Sequence, residues 1–494
     1  MKKNTPSNVS SNEIAKKIRN REIVVRVATL VVVSFLLAIM VRASSINEFN
    51  TIKDFFTGKV WLQILIISVI LAAMLSTIYF YSIYIRRDLR KDKKLVQVLT
   101  SSIVLTFVLA LVFGSLINLY VAPLVLSSLL VGALLDKRIG IVTNILISQA
   151  FFLTAMIVFG ADRIIESSAA LITSMITSIF LISNLDKMRT RFRFTVLGLL
   201  VGLCTAVIPM LINLLVNPDD ILTVLMSGVW SFLSVVLSIA LQMIFLPIME
   251  YIFRINTVFR LGELCSLENP LLKKLAVNAP GTFNHSVAVG NLAEICADAI
   301  GENPQLAKVC AYYHDVGKMK NSEYFIENQS GLPEDNPHND LIPEVSVSMI
   351  VSHVQASYDM IKAERLPDII ADVAREHHGT TPVNYFLYKA QSYTEDDLNK
   401  LEFSYPGPKP QTKIAAIIMI VDTVEAASRA IANLSSHDQF RKFIHNLIKS
   451  KSDVGQFEEC GITFKDLKTI EDTLVETLPS MYHSRIQYTK PSEK

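Results

Sequence analysis

Charge is sparse in this sequence, and cysteine sparser still. Asp, Glu, Lys and Arg make up 19% of the 494 residues, and the formal net charge is +2. A balance so close to zero gives no argument for nucleic-acid binding, so no nucleic-acid polymer is expected as a partner. The five cysteines (Cys204, Cys265, Cys296, Cys310 and Cys460) are odd in number and show no CxxC spacing. They read as reduced core residues of a cytosolic setting, which excludes a disulfide frame and a structural zinc site. No strand alternation and no internal repeat stands out.

The shortage of charge is uneven. Residues 23–253 carry long uncharged runs, while 254–494 has an ordinary globular composition. The whole is 51% hydrophobic, with a mean hydropathy of +0.39. That suits a polytopic membrane domain followed by one soluble domain with a sizeable core. Residues 1–22 form a basic tail, and 23–42 holds a first apolar run of membrane-spanning length. The run exceeds a signal-peptide core of about 7–15 residues, so a retained anchor is expected over a cleaved leader. A short extracellular link, 43–59, leads to a seven-helix region over 60–253. Its runs lie near 60–84, 95–114, 116–135, 139–160, 167–185, 194–216 and 221–253, with the weakest break at Gly114.

Basic residues orient the eight spans. With the N-terminus in the cytoplasm, Arg86 to Lys91, Lys137-Arg138 and Lys187 to Arg193 fall on the inside. Outside segments carry only scattered charges such as Lys53, Lys59 and Arg163. This is the positive-inside pattern, and it places the C-terminal half in the cytoplasm. Spans this empty of ionisable residues argue against a transporter and for an anchor or signal relay, with membrane lipid as partner. Arg26 and Glu250 lie near span ends, where they are expected to snorkel.

A connecting helix is expected over 254–270 and an all-α domain over 271–490. Pro304, Pro343 and Pro367 open helices there, and the polar stretch 321–339 reads as loop. Ala311 to Lys318, AYYHDVGK, sets His314 and Asp315 side by side on an apolar helix. His285 in PGTFNHS, His353 in VSHV, His377-His378 in EHHG and Asp422 also fall on apolar helical segments. Burying seven such groups unpaired is costly, and ligation to a shared pair of metal ions satisfies them together. His338, in the loop NPHND, reads as a substrate contact or proton donor, with a solvated loop residue as the plain alternative. Lys318, one turn beyond Asp315, can neutralise phosphate charge as a point donor, with a solvated helix-end lysine as the plain alternative. Arg429 shares a helix face with Asp422, Glu425 and Ala426 and is a candidate for positioning the site or substrate, with a plain surface ion pair as the equal alternative. A second His-Asp pair, His437-Asp438, looks like a solvated helix start, and His445 and His483 read as surface residues.

In order and in company with the apolar runs, PGTFNHS, AYYHDVGK, NPHND, VSHV and EHHG resemble the seven-transmembrane HD phosphodiesterases, over about residues 20–490. The resemblance implies a bacterial multi-pass membrane enzyme whose cytoplasmic HD domain hydrolyses cyclic di-AMP to pApA. It implies two divalent transition-metal ions, iron or manganese. His285, His314, Asp315 and Asp422 would hold one, with Asp315 bridging to a second held by His353, His377 and His378. Catalytic roles would fall to Asp315, Lys318 and His338, and substrate contacts to Lys318, His338 and Arg429; a homodimer is also allowed. Two departures stand out. The family has a large extracellular domain where this chain has only 43–59, and EHHG runs into TTPVNYF rather than the DGxGYP of HD-GYP enzymes. The second argues against cyclic di-GMP. Hydrolysis of another nucleotide such as (p)ppGpp, or nucleotide binding without turnover, is the alternative.

Overall fold

The computed structural model describes residues 9–44, 57–90, 92–160, 163–188, 190–329, 331, 333–393, 398–429 and 437–481. Most of the expected link at 43–59 lies outside these residues, as does His483. The chain divides into two compact units, Met1–Phe259 and Arg260–Lys494.

The first unit is built from helices α1 (Val9–Ser44), α2 (Gly58–Ile85), α3 (Lys93–Leu116), α4 (Leu126–Leu134), α5 (Lys137–Phe159), α6 (Ile164–Ser183), α7 (Arg191–Thr205), α8 (Val207–Val216) and α9 (Ile221–Phe253). Among the described residues, seven helices are long and apolar enough to cross a membrane, counting α7 and α8 as one. The basic tail from Val9 onward belongs to the same helix as the first apolar run.

The eighth expected span, 116–135, is not a continuous helix. Asn118 caps a 3-10 turn at Leu119–Val121, Pro123 follows, and α4 has only 9 residues. That helix is about 13 Å long, too short to cross alone. Yet Arg86 Nη1 donates to the Leu135 carbonyl at 2.9 Å, so the chain has returned to the end from which α3 departs. The broken segment makes this passage buried among its neighbours, which satisfy its open backbone. Ser234 Oγ donates to the Ala122 carbonyl at 2.6 Å, and Asn144 Nδ2 to that of Leu124 at 2.9 Å. Irregular backbone at membrane depth is tolerated only with such internal partners.

The two ionisable residues expected to snorkel turn inward instead. Arg26 donates to the Tyr79 hydroxyl at 3.2 Å and the Leu89 carbonyl at 3.3 Å. Glu250 is buried and pairs with Arg191 at 2.9 Å while accepting from Thr257. Lys137 pairs with Asp186, so the basic loops gather at one end of the bundle.

No strand occurs among the described residues of the second unit; a single bridge joins Pro382 and Ser404. The expected connecting helix is interrupted. Arg254 takes a left-handed conformation (φ 52°) that ends α9, and only α10 (Val258–Leu264) follows before Pro270 opens α11 (Pro270–Asn278). The remaining helices are α12 (Pro280–Ala299), α13 (Pro304–Tyr313), α14 (Pro343–Ala363), α15 (Asp368–Glu376), α16 (Asn384–Gln391), α17 (Lys413–Arg429), α18 (His437–Asp453) and α19 (Phe464–Met481). Prolines at the first turn of α11, α12, α13 and α14 fit positions whose N–H has no helical partner. Asn303 also caps α13, its Oδ1 accepting from Leu306 N at 3.0 Å. Helix α17 forms the centre, with Ile414 to Val421 all buried, and each of its Ile, Met and Val side chains there contributes about 1.5–3 kcal/mol. Helix α16 falls in a stretch that reads as mixed, and 321–339 forms short 3-10 turns.

Candidate metal centre

Three helices, α12, α14 and α17, and the ends of two more, α13 and α15, converge on Asp315. Helix α13 stops at Tyr313, so His314 and Asp315 leave it together at its buried end. A 3-10 segment, Val316–Tyr324, then crosses α14 at very close range. A Cβ on Gly317 would lie 2.2 Å from the His353 carbonyl oxygen and 2.4 Å from Ser357 N, so only glycine permits this crossing. Gly317 N also donates to Ser357 Oγ at 2.8 Å. The crossing sets His353 Nε2 3.2 Å from Asp315 Oδ1.

The other groups arrive from α12, α15 and α17. His377 and His378 follow the last turn of α15, with His377 Nε2 3.6 Å from Asp315 Oδ1. His314 Nε2 lies 3.1 Å from Asp315 Oδ2. His285 Nε2, on α12, is 2.9 Å from Asp422 Oδ1 on α17 and 3.9 Å from Asp315 Oδ2. His378 Nδ1 is 3.9 Å from Asp422 Oδ2. Two ligand groups result, His285-His314-Asp315-Asp422 and Asp315-His353-His377-His378, each with its ligand atoms within 4.8 Å of one another. Asp315 is common to both.

The hydrogen bonds fix which ring nitrogens face inward. Nδ1 of His314, His353 and His377 meets the carbonyl three residues earlier, at 2.6, 2.6 and 2.8 Å. A carbonyl only accepts, so each Nδ1 carries a proton and each Nε2 is the nitrogen turned toward the shared centre. Those three Nε2 atoms and both oxygens of Asp315 are buried without a hydrogen bond. Lys318 Nζ does stand 2.7 Å from Asp315 Oδ2, as an ion pair rather than an aligned hydrogen bond. Five orphaned ligand atoms around one point fit divalent cations held by imidazole and carboxylate.

The electrostatics agree. Burial opposes charge on His314, yet Asp315 and Asp422 outweigh it and push the imidazole up to about 10. Burial likewise opposes charge on Asp315, but His314 and Lys318 hold it well below the usual carboxylate range. Burial keeps His377 down at about 4. Two buried carboxylates therefore draw positive charge to this point, a demand that divalent cations meet with every imidazole neutral.

A cleft of about 450 Å³ opens over the group. Its floor includes His285, His353, His378, Asp422 and Lys318, and Phe325, Ile326, Ile350, Tyr405, Ala426 and Arg429 form its walls. Lys318 Nζ also contacts Glu327 Oε1 at 2.9 Å, so its charge is committed to two carboxylates as it faces the cleft. Arg429 lines the rim, with Nε and Nη2 on Glu425 Oε1 at 2.7 and 2.5 Å.

His338 is placed elsewhere. Its Nε2 bonds the Tyr324 carbonyl at 2.9 Å, and its ring packs on Tyr324 and Phe386 at 5.3 and 5.0 Å. It does not line the cleft, because the loop NPHND forms a 3-10 turn that folds the ring into a side cluster. Of the histidines read as surface residues, His437 opens α18 exposed and His445 pairs with Glu471 at 2.9 Å. Sequence reasoning missed Tyr405, stacked on His378 at 4.2 Å and 24°, and the bond between Glu425 and His285. Neither carries a local signal.

Comparison with known proteins bears on both units. The family described as "7TM receptor with intracellular HD hydrolase" matches residues 61–257, and that described as "HD domain" matches 282–427. Cyclic-di-AMP phosphodiesterase PgpH of Bacillus subtilis (strain 168) is 37% identical over 386 residues, covering 76% of this chain and 52% of the relative. Cyclic-di-AMP phosphodiesterase PgpH of Listeria monocytogenes serotype 1/2a (strain 10403S) is 37% identical over 377 residues, covering 76% and 51%. This chain thus spans about half the length of the curated relatives it matches. The crystal structure of the L. monocytogenes phosphodiesterase PgpH HD domain in complex with cyclic-di-AMP is 46% identical, with a TM-score of 0.42. It covers 44% of this chain and 100% of its own.

Proposed function

We propose, for a chain that is similar to the family of 7TM receptors with an intracellular HD hydrolase over residues 61–257 and to the HD domain over 282–427, the activity of a metal-dependent phosphodiesterase that opens cyclic di-AMP to pApA. In that reaction a water oxygen joins phosphorus, the P–O3′ bond breaks, and the 3′ oxygen takes a proton. The observation that carries the reading is the set of five buried ligand atoms without hydrogen bonds, on His314, His353, His377 and Asp315. The choice of cyclic di-AMP is supported by the two relatives named for that activity.

His285, His314, Asp315 and Asp422 would hold one divalent ion, and Asp315, His353, His377 and His378 a second, iron or manganese. When bound, such ions supply Lewis-acid polarisation of the phosphodiester and a nucleophile ionised near neutral pH. The protein positions the rest. Lys318 steadies Asp315 from the cleft side and adds positive charge where a phosphate would lie. Arg429 offers a second cationic contact at the rim. Phe325, Ile326 and Ile350 give the apolar wall that a purine ring needs. His338, packed away from the cleft, takes no part in this scheme.

The chain is a membrane protein, with seven helices of crossing length and a matching seven-transmembrane family. We place the second unit in the cytoplasm because the basic loops gather at one end of the bundle. The test is to purify the full chain in detergent, load it with Mn²⁺ or Fe²⁺, and supply cyclic di-AMP, cyclic di-GMP and ppGpp separately. Selective formation of pApA, lost in Asp315→Ala, supports the reading. Preference for either competitor overturns the substrate, and no turnover by metal-loaded protein overturns the activity.

A further inference from the structure

Three of the five candidate histidine ligands are held alike, and His285 is held differently. His314, His353 and His377 each direct Nδ1 at the carbonyl three residues back. His285 instead directs Nδ1 at a side-chain carboxylate, Glu425 Oε2, at 2.5 Å. Glu425 is 1% exposed, so this contact is sheltered from water and its charge is little screened.

Helix α17 supplies the whole arrangement. Asp422 is the ligand candidate, Glu425 lies one turn on, and Arg429 one turn further, so the three share a face. Asp422 Oδ1 meets Nε2 of His285 while Glu425 Oε2 meets its Nδ1, so one helix grips both edges of the ring. Arg429 then closes on the other Glu425 oxygen with two nitrogens, which fixes the carboxylate's rotamer.

From this geometry, and resting on the metal-site reading above, we infer that Glu425 is a positioning residue. It sets the orientation and basicity of His285, and hence the affinity of one of the two metal positions. A carboxylate acceptor strengthens an imidazole ligand more than a neutral carbonyl does, and losing such a partner weakens metal binding about 10–100-fold. The chain therefore holds two unequal positions, with a charged outer partner behind His285 and neutral carbonyls behind His314, His353 and His377. Arg429 belongs to this support through its grip on Glu425.

The test is Mn²⁺ titration of metal-free full-length protein in detergent, followed by EPR, for wild type, Glu425→Gln and Glu425→Asp. Melting of the metal-free forms reports whether each variant folds. Wild type is expected to bind two Mn²⁺. Glu425→Gln should weaken one of them by about 10–100-fold and leave the other unchanged. Glu425→Asp, which keeps the charge but shortens the reach, should fall between, and it carries the test if the Gln variant fails to fold. Excess Mn²⁺ should restore kcat in the variants with KM unchanged. Two Mn²⁺ bound with wild-type affinity in the folded variants overturns the inference, as does a loss of turnover that excess metal does not repair. A wild type that binds no Mn²⁺ overturns the metal-site reading itself, which separates the two failures.

Discussion

Lys318 holds its Nζ 2.7 Å from Oδ2 of Asp315, the carboxylate common to both candidate ligand groups. The lysine's second partner is Glu327 at 2.9 Å, and all three side chains are largely buried. Removing one member of a buried ionic group costs about 3–5 kcal/mol, because the remaining charges lose compensation. Lys318→Met should therefore lower the melting temperature of metal-free protein sharply. Bound Mn²⁺ supplies positive charge beside Asp315 and should restore most of the loss. Equal losses with and without metal would contradict this role.

Tyr405 stacks on His378 with ring centroids 4.2 Å apart. Such a contact contributes about 0.5–1.5 kcal/mol beyond the area buried. Tyr405→Phe keeps the stack and should retain near-wild-type turnover. Tyr405→Ala frees the imidazole and should reduce kcat/KM by up to about tenfold, since 1.4 kcal/mol corresponds to that factor. A loss in the Phe variant as large as in Ala would assign the work to the hydroxyl.

In the membrane unit, α4 and α5 touch through glycine. A Cβ on Gly140 would lie 2.8 Å from Gly132 Cα and 2.9 Å from the Ser128 carbonyl oxygen, both backbone atoms that cannot swing aside. Gly140→Val should destabilise the unit by about 1–3 kcal/mol, the usual cost of overpacking. Gly58→Ala, with nothing within 4 Å of the new atom, is the matched control. Melting in detergent separates the two, and equal melting temperatures would contradict the packing.

Orientation is open to a labelling experiment. Single cysteines at Arg138 and Asp219, in a chain cleared of its native cysteines, should react with impermeant maleimide from opposite sides. The proposed orientation requires Arg138 to be shielded in intact cells and Asp219 to be labelled. The reverse pattern would put the second unit outside.

The metal-ligand candidates were legible because histidine and aspartate on apolar helices need partners, and seven of them share one solution. The structure gathers those residues around Asp315. Glu425 was not legible in this role, because its partner His285 lies 140 positions away and Arg429 at i+4 made it look like a surface pair. Tyr405 sits beside a Pro- and Gly-rich loop, where no periodicity points at His378. His338 misled, since a histidine between prolines and acids reads as exposed, whereas here its ring is buried against Phe386. The membrane region read correctly as apolar runs. Composition alone hid the break at 117–125, because Asn118 and Pro123 interrupt hydrogen bonding without lowering hydropathy by much.

The measurement that bears most directly on a shared two-metal site is a metal count. Full-length protein loaded with Mn²⁺ and freed of excess should be assayed for manganese per chain, in wild type, His285→Ala, His353→Ala and Asp315→Ala. Two ions are expected in the wild type, one in each histidine variant, and fewer in Asp315→Ala than in either. Two ions retained by Asp315→Ala, or none bound by the wild type, would contradict a site bridged by that carboxylate.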